Sequence, residues 1–231
     1  MATNHAINHP LQQGRVKELT FAGDHVCLAG QVNYPNIEPP ANGYPLIFLL
    51  PHAGSNTRDD YAHYVEIALA SGYAIFLWDK RGTGRSGASG RGSTMRDALS
   101  AYKTALEQDA IDPDNVIIFS QCASTQLLGE SFAAFAEIQS PYGALLVGNM
   151  LDAEAIRTIK TQIFVAYGEE DWNDWQIYAR DACESHNTLY DLDAAFYLAP
   201  NANRMLMVKQ DNEKIFHADA SRAILDWLQS L

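Results

Sequence analysis

From residue 46 onward, short runs made almost wholly of apolar residues alternate with stretches of helical periodicity. Leu46-Ile-Phe-Leu-Leu50 is the first such run, and Tyr61, Tyr64, Val65 and Ala68 then recur at helical spacing. Residues 73–78 form the next run, followed by Met95, Leu99, Tyr102 and Leu106 on one helical face. Residues 116–119 precede a helix carrying Leu128, Phe132 and Phe135, and 144–147 and 163–167 add two more runs. Residues 205–208 are expected to be the last strand, before a closing helix with Ala220, Ile224, Trp227, Leu228 and Leu231 on one side. A strand apolar along its whole length has both faces buried, which requires helices on both sides of a mostly parallel sheet. Two earlier segments, 16–22 and 25–34, flank the turn signal Gly23-Asp24 and predict an antiparallel hairpin at one edge. The expected fold class is therefore α/β, with a mostly parallel central sheet of about eight strands flanked by helices. Ligands of such sheets bind beyond the carboxyl ends of the strands. The polar residues that follow each strand are the ones to weigh.

Composition sets the outer bounds. The 231 residues, with no internal repeat or dividing linker, predict one domain over 1–231. A net charge of −12 argues against nucleic acid or an anionic membrane as the main partner. Cys27, Cys122 and Cys183 are an odd set without zinc-ligand spacing, which favours a reducing compartment and no structural metal. The polar amino terminus lacks an apolar signal core, and no apolar run approaches a bilayer span. A cytoplasmic location is expected.

After the run at 116–119 comes Ser120-Gln-Cys122-Ala-Ser124-Thr125. Small residues two before and two after Cys122 meet the steric demand of a tight strand-to-helix turn that presents a nucleophile. A thiol at a helix amino terminus is pushed toward thiolate, and the next amide, of Ala123, can donate to an oxyanion. Read in isolation, Cys122 is simply a small buried residue, as free cysteines often are. Its junction position favours the nucleophile.

The first long run ends in Pro51-His52-Ala53-Gly54-Ser55. A His-Gly-like turn here commonly supplies a second oxyanion amide, from Ala53 or Gly54, with His52 beside the substrate. An ordinary loop capped by Ser55 or Asn56 explains the same residues. The run at 73–78 ends in Asp79-Lys-Arg-Gly-Thr-Gly-Arg-Ser86. Its Gly82-Thr-Gly84-Arg-Ser-Gly87 matches the dinucleotide Gly-x-Gly-x-x-Gly pattern, but it lies in a long Gly/Ser loop and does not open a helix.

The Asp79 to Ser86 string resembles the Asp-x-Arg-Gly-x-Gly-x-Ser loop of α/β-hydrolases. The likeness runs from Leu46 to the end of the chain. It implies an α/β-hydrolase fold, without an inserted lid domain because so few residues separate 147 from 162. It also implies an acid after the run at 163–167, where Asp171 fits best and Glu170 and Asp174 compete, with Asp152 as the alternative after the preceding strand. His217, just before the last helix, takes the general-base place. Cys122, Asp171 and His217 then follow the family's chain order, and a cysteine at the elbow resembles the dienelactone hydrolase group.

The function so implied is cleavage of an ester, lactone or thioester through a Cys-His-Asp triad and an acyl-cysteine, with no cofactor or metal required. The partner would be a small ester-type molecule. Trp172 and Trp175 could line an acyl pocket, and Arg85 and Arg91 could meet an acidic substrate, although packing and solvation explain such residues equally. The loop at 83–92 or the connection at 187–204 could cover the site. Acyl transfer to another acceptor is a rival within the class. A catalytically inactive fold used for binding is the rival outside it, since serine for glycine and cysteine for serine are also what a decayed site shows.

Overall fold

A computed structural model describes residues 14–148, 154–172 and 175–231. Ten strands and six helices alternate along them: β1 (Val16–Ala22), β2 (Cys27–Asn33), β3 (Tyr44–Leu50), α1 (Ala62–Ala70), β4 (Ala74–Trp78), α2 (Thr94–Leu106), β5 (Ile111–Gln121), α3 (Ala123–Ile138), β6 (Gly143–Val147), α4 (Glu154–Thr158), β7 (Gln162–Gly168), α5 (Gln176–Tyr190), β8 (Ala194–Ala199), β9 (Met207–Gln210), β10 (Glu213–Phe216) and α6 (Ala218–Ser230). Strands β1 to β8 form one sheet in the order β1-β2-β4-β3-β5-β6-β7-β8. The β1–β2 and β2–β4 pairs are antiparallel and the others parallel, so the expected edge hairpin and parallel centre are both present.

The side chains of β3 alternate between the two faces. Leu46, Phe48 and Leu50 join the core that includes Tyr102, Leu128, Phe135 and Ala179, from α2, α3 and α5. Ile47 and Leu49 join the opposite core, with Tyr64, Ile67, Ile224 and Leu228 from α1 and α6. Period-two alternation thus feeds two apolar layers, each worth roughly 25 cal/mol per Å² removed from water. From β3 the chain steps outward to β4 and then returns to the far side of β3 as β5. The order reverses there, and the reversal opens a crevice between the carboxyl ends of β3 and β5.

Two expectations need correction. The run at 205–208 is not the last strand of the main sheet. That strand is β8, parallel to β7, while β9 and β10 form a separate two-stranded ribbon. Ala-Ala-Phe-Tyr-Leu-Ala is half-buried at the sheet edge, so its apolar signal is weak. The connection at 187–204 is accordingly no open lid loop, because α5 and β8 occupy most of it. The loop at 83–92 does not cover the crevice either. Gly87 donates to the Cys27 carbonyl, and Arg81 ties the Asp24 and Arg91 carbonyls to Asp97, all on the β2–α2 side. Among the described residues no helix is long and apolar enough to cross a membrane, and no group of three or more His, Cys, Asp or Glu could hold a metal.

Candidate active site

Cys122 sits at the turn from β5 into α3 with φ 52° and ψ −119°. A side-chain-bearing residue in that region costs on the order of 1–3 kcal/mol and persists only when its surroundings impose it. The surroundings are specific. The Cys122 amide donates to the Val147 carbonyl at 2.9 Å, and the Cys122 carbonyl accepts from the Thr125 amide at 3.0 Å. A Cβ on Gly148 would stand 2.4 Å from the Arg204 carbonyl oxygen and 3.0 Å from Cys122 Sγ, and Gly148 itself has φ 81°. Only glycine fits there. The residue is 2 % exposed, so the sulfur does not face open solvent as a plain elbow would have it.

The first turn of α3 is tied to the end of β3. Ser124 Oγ donates to the Pro51 carbonyl at 2.5 Å, which sets the 51–56 loop beside the elbow. The His52 amide donates to Tyr61 Oη at 2.8 Å, and Lys80 Nζ donates to the carbonyls of His52 and, at 3.3 Å, Asn56. Ala53 and Gly54 are exposed, and among the described residues their amides, like that of Ala123, donate to no protein acceptor. Amides of this kind are chemically suited to an anion or a developing oxyanion.

His52 is half-buried, and burial, then the nearby Lys80 and Arg204 charges, push its imidazole below the usual histidine range. Burial raises the Tyr61 and Tyr64 phenols, and a negative charge on Cys122 adds to the rise in both, which places the sulfur in their electrostatic neighbourhood.

The opposite rim is arranged otherwise. Asp171 follows β7 as expected and is buried, but its ion pair is with Arg204, Nε to Oδ1 at 3.7 Å. The Arg204 guanidinium also lies 4.8 Å from the centre of the Trp172 ring. Trp172 is 69 % exposed, while Trp175 packs against the core. His217 is placed by α6, whose amino end it caps: its Nδ1 accepts from the Ala220 amide at 3.1 Å. That nitrogen therefore carries no proton, the reverse of the tautomer that would donate to Asp171.

The structure thus ties the 51–56 loop to the turn that carries Cys122, pairs Asp171 with Arg204 and uses His217 Nδ1 as a helix cap. Of the competing acids, Glu170 lines an open cavity of about 270 Å³ beside β9 and β10, with Asn201, Asn203 and Lys214, while Asp152 and Asp174 lie outside the described residues. Arg85 pairs with Glu18 at 3.1 Å and stays largely exposed.

Sequence patterns missed Tyr61, Lys80, Gly148 and Arg204. Lys80 lies inside the Asp79 to Ser86 string, whereas Arg204 has no local signal at all.

No protein-family model matches this chain, and no curated protein matches it. Solved structures do. An esterase of Pyrococcus furiosus superposes with a TM-score of 0.71 at 12% identity over 94% of this chain and 91% of that one. A candidate α/β-hydrolase of unknown function from Agrobacterium tumefaciens gives 0.72 at 14%, covering 92% and 94%. A bacterial heroin esterase gives 0.68 at 13%, covering 97% and 86%. At such identities the likeness is one of fold.

Proposed function

The fold is that of the α/β-hydrolases, and from it we propose that the chain is a carboxylic ester or thioester hydrolase with Cys122 as its nucleophile. The observation that carries this is the strained backbone of Cys122, held by Val147, Thr125 and the Cβ-free Gly148. Backbone strain of this kind clusters at active sites, where the surrounding structure holds it in place.

In the proposed reaction Sγ forms a bond to the acyl carbon and its proton passes to His217 Nε2. The carbonyl oxygen, now anionic, is held by the Ala123 amide and one from Ala53 or Gly54, each worth about 3 kcal/mol. The C–O or C–S bond to the leaving group breaks, and that group takes the proton from His217. Water then attacks the acyl-cysteine, its proton again going to His217, and the thiol is regenerated. For this the imidazole must turn out of its cap so that Nδ1 can donate to Asp171. Losing a cap costs about 1 kcal/mol, which is small beside the oxyanion contribution.

The second reading, a hydrolase fold retained for binding, is favoured by one observation: Asp171 pairs with Arg204, and His217 Nδ1 caps α6 through the Ala220 amide. Turnover of short-chain p-nitrophenyl esters and thioesters, measured with and without iodoacetamide, separates the two. Ester turnover lost in step with alkylation of Cys122 supports the enzyme. Turnover that survives Cys122→Ala removes the thiol mechanism, and slow alkylation without any turnover supports the binding protein.

A further inference from the structure

The Asp79 loop, the most specific motif of the sequence, is built to hold one ammonium group. Asp79 is 1 % exposed, and its carboxylate accepts from the Arg58 and Arg85 amides at 2.9 Å each. Its own carbonyl accepts from Ser86 Oγ at 2.5 Å. Gly84 has no Cβ because one would stand 2.3 Å from that carboxylate. The next residue, Lys80, has its carbonyl bound by the amide and hydroxyl of Thr83, at 3.0 and 2.9 Å. The backbone on both sides of the Lys80 side chain is thereby immobilised, and its Nζ spans the carbonyls of His52 and Asn56.

The His52 carbonyl and the Ala53 amide belong to one peptide unit. This peptide is trans, so its N–H points away from the carbonyl oxygen and hence away from Lys80. A cation on the oxygen draws electron density through the amide resonance and makes the N–H a stronger donor. The preceding peptide is fixed as well, through the His52 amide on Tyr61 Oη and the Pro51 carbonyl on Ser124. Desolvation strengthens the effect. Lys80 is half-buried, and burial lowers its pKa against the opposing pull of Asp79 and Asp60.

The geometry points to Lys80 as a positioning residue that aims and polarises the Ala53 amide toward the oxyanion of an acyl-Cys122 reaction. Lys80 does not touch substrate. The inference rests on the ester-hydrolase reading and selects Ala53 over Gly54 as the second donor. It gives the Asp79 motif a catalytic consequence beyond holding its own loop.

Lys80→Met keeps the aliphatic stem and removes the charge. The expected result is a fall in kcat of about 30- to 100-fold with KM within about 3-fold, part of the 10²–10³ seen when an oxyanion donor is removed outright. Iodoacetamide alkylates Cys122 without forming an oxyanion, so its rate in the same variant should stay within about 3-fold of the parent. Lys80→Arg should recover most of kcat, and Lys80→Ala should regain activity with added ethylammonium or propylammonium ion but not with tetramethylammonium. Affinity for a short aldehyde, whose thiohemiacetal carries the oxyanion, should fall in parallel with kcat. A Lys80→Met enzyme within about 3-fold of the parent kcat overturns the inference, as does a drop in which alkylation, KM and melting temperature all fall together. Those results leave the thiol mechanism standing if parent turnover is blocked by alkylation. Parent turnover indifferent to alkylation removes both.

Discussion

On the β3–β4 side of the crevice, the loop at 51–56 is fastened by Ser124, Tyr61 and Lys80, and the Ala53 and Gly54 amides have no protein acceptor among the described residues. On the β7–α6 side, Asp171 is held by Arg204 and His217 caps a helix. In the proposed reaction the first half is already in place, and the second must reorganise to take part. The difference shows where the barrier of such an enzyme would be spent. Charge stabilisation is supplied in advance, whereas the proton path is assembled at the expense of one cap and one ion pair.

The sharpest way to break this comparison is to separate the two roles of His217. Serine is a good helix cap, so His217→Ser should keep the melting temperature within a few degrees while kcat falls by about 10³-fold or more. If stability collapses and turnover does not, His217 is a cap only. Asp171→Asn should follow, with a loss of about 10²-fold or more in kcat, because the amide no longer stabilises a charged imidazole. An Asn variant at parent activity would assign the acid elsewhere, and the same substitution at Asp152 or Asp174 would locate it. Gly148→Ala forces a methyl against the Arg204 carbonyl and Cys122 Sγ. Chemical denaturation should show about 2 kcal/mol of lost stability, and the rate of Cys122 alkylation should change with it.

The smallest effect concerns His63, whose ring stacks on Phe216 at 4.4 Å and packs against Tyr64 at 4.2 Å, beside the loop that carries His217. Burial lowers its pKa from 6.5 to about 4. The unfolded chain therefore binds this proton at a pH where the folded chain does not. The contribution is complete above about pH 6.5, shrinks as the pH falls toward 4, and changes no further below that. With solvent screening the span is about 1–2 kcal/mol. In His63→Phe that part of the acid slope should vanish from a series of urea melts; an unchanged slope would show that His63 is not the group titrating.

The alternation of apolar runs and helical periodicity made the parallel sheet and its two faces legible, and the small residues around Cys122 marked the elbow. What escaped was decided by partners distant in the chain. β8 was obscured because an edge strand half-exposes residues such as Phe196 and Tyr197 and loses the apolar continuity of β4 or β6. The turn before β10 lacked glycine, yet Asp211 and Asn212 adopt the left-handed conformation in its place, with φ 49° and 68°. The Arg204–Asp171 pair joins two loops on either side of α5 and β8, and no periodicity reports such a contact. Lys80 was visible as a motif letter, but its carbonyl partners belong to another strand's loop.

The central claim is that the sulfur of Cys122 carries the acyl group. Acid quenching of the protein during turnover of p-nitrophenyl acetate, followed by peptide mass spectrometry, tests it without reference to any rate. The expected result is an acetyl group on the peptide containing Cys122, absent after iodoacetamide treatment. Acetylation found solely at lysine or serine side chains, with Cys122 unmodified while ester is being consumed, would contradict it.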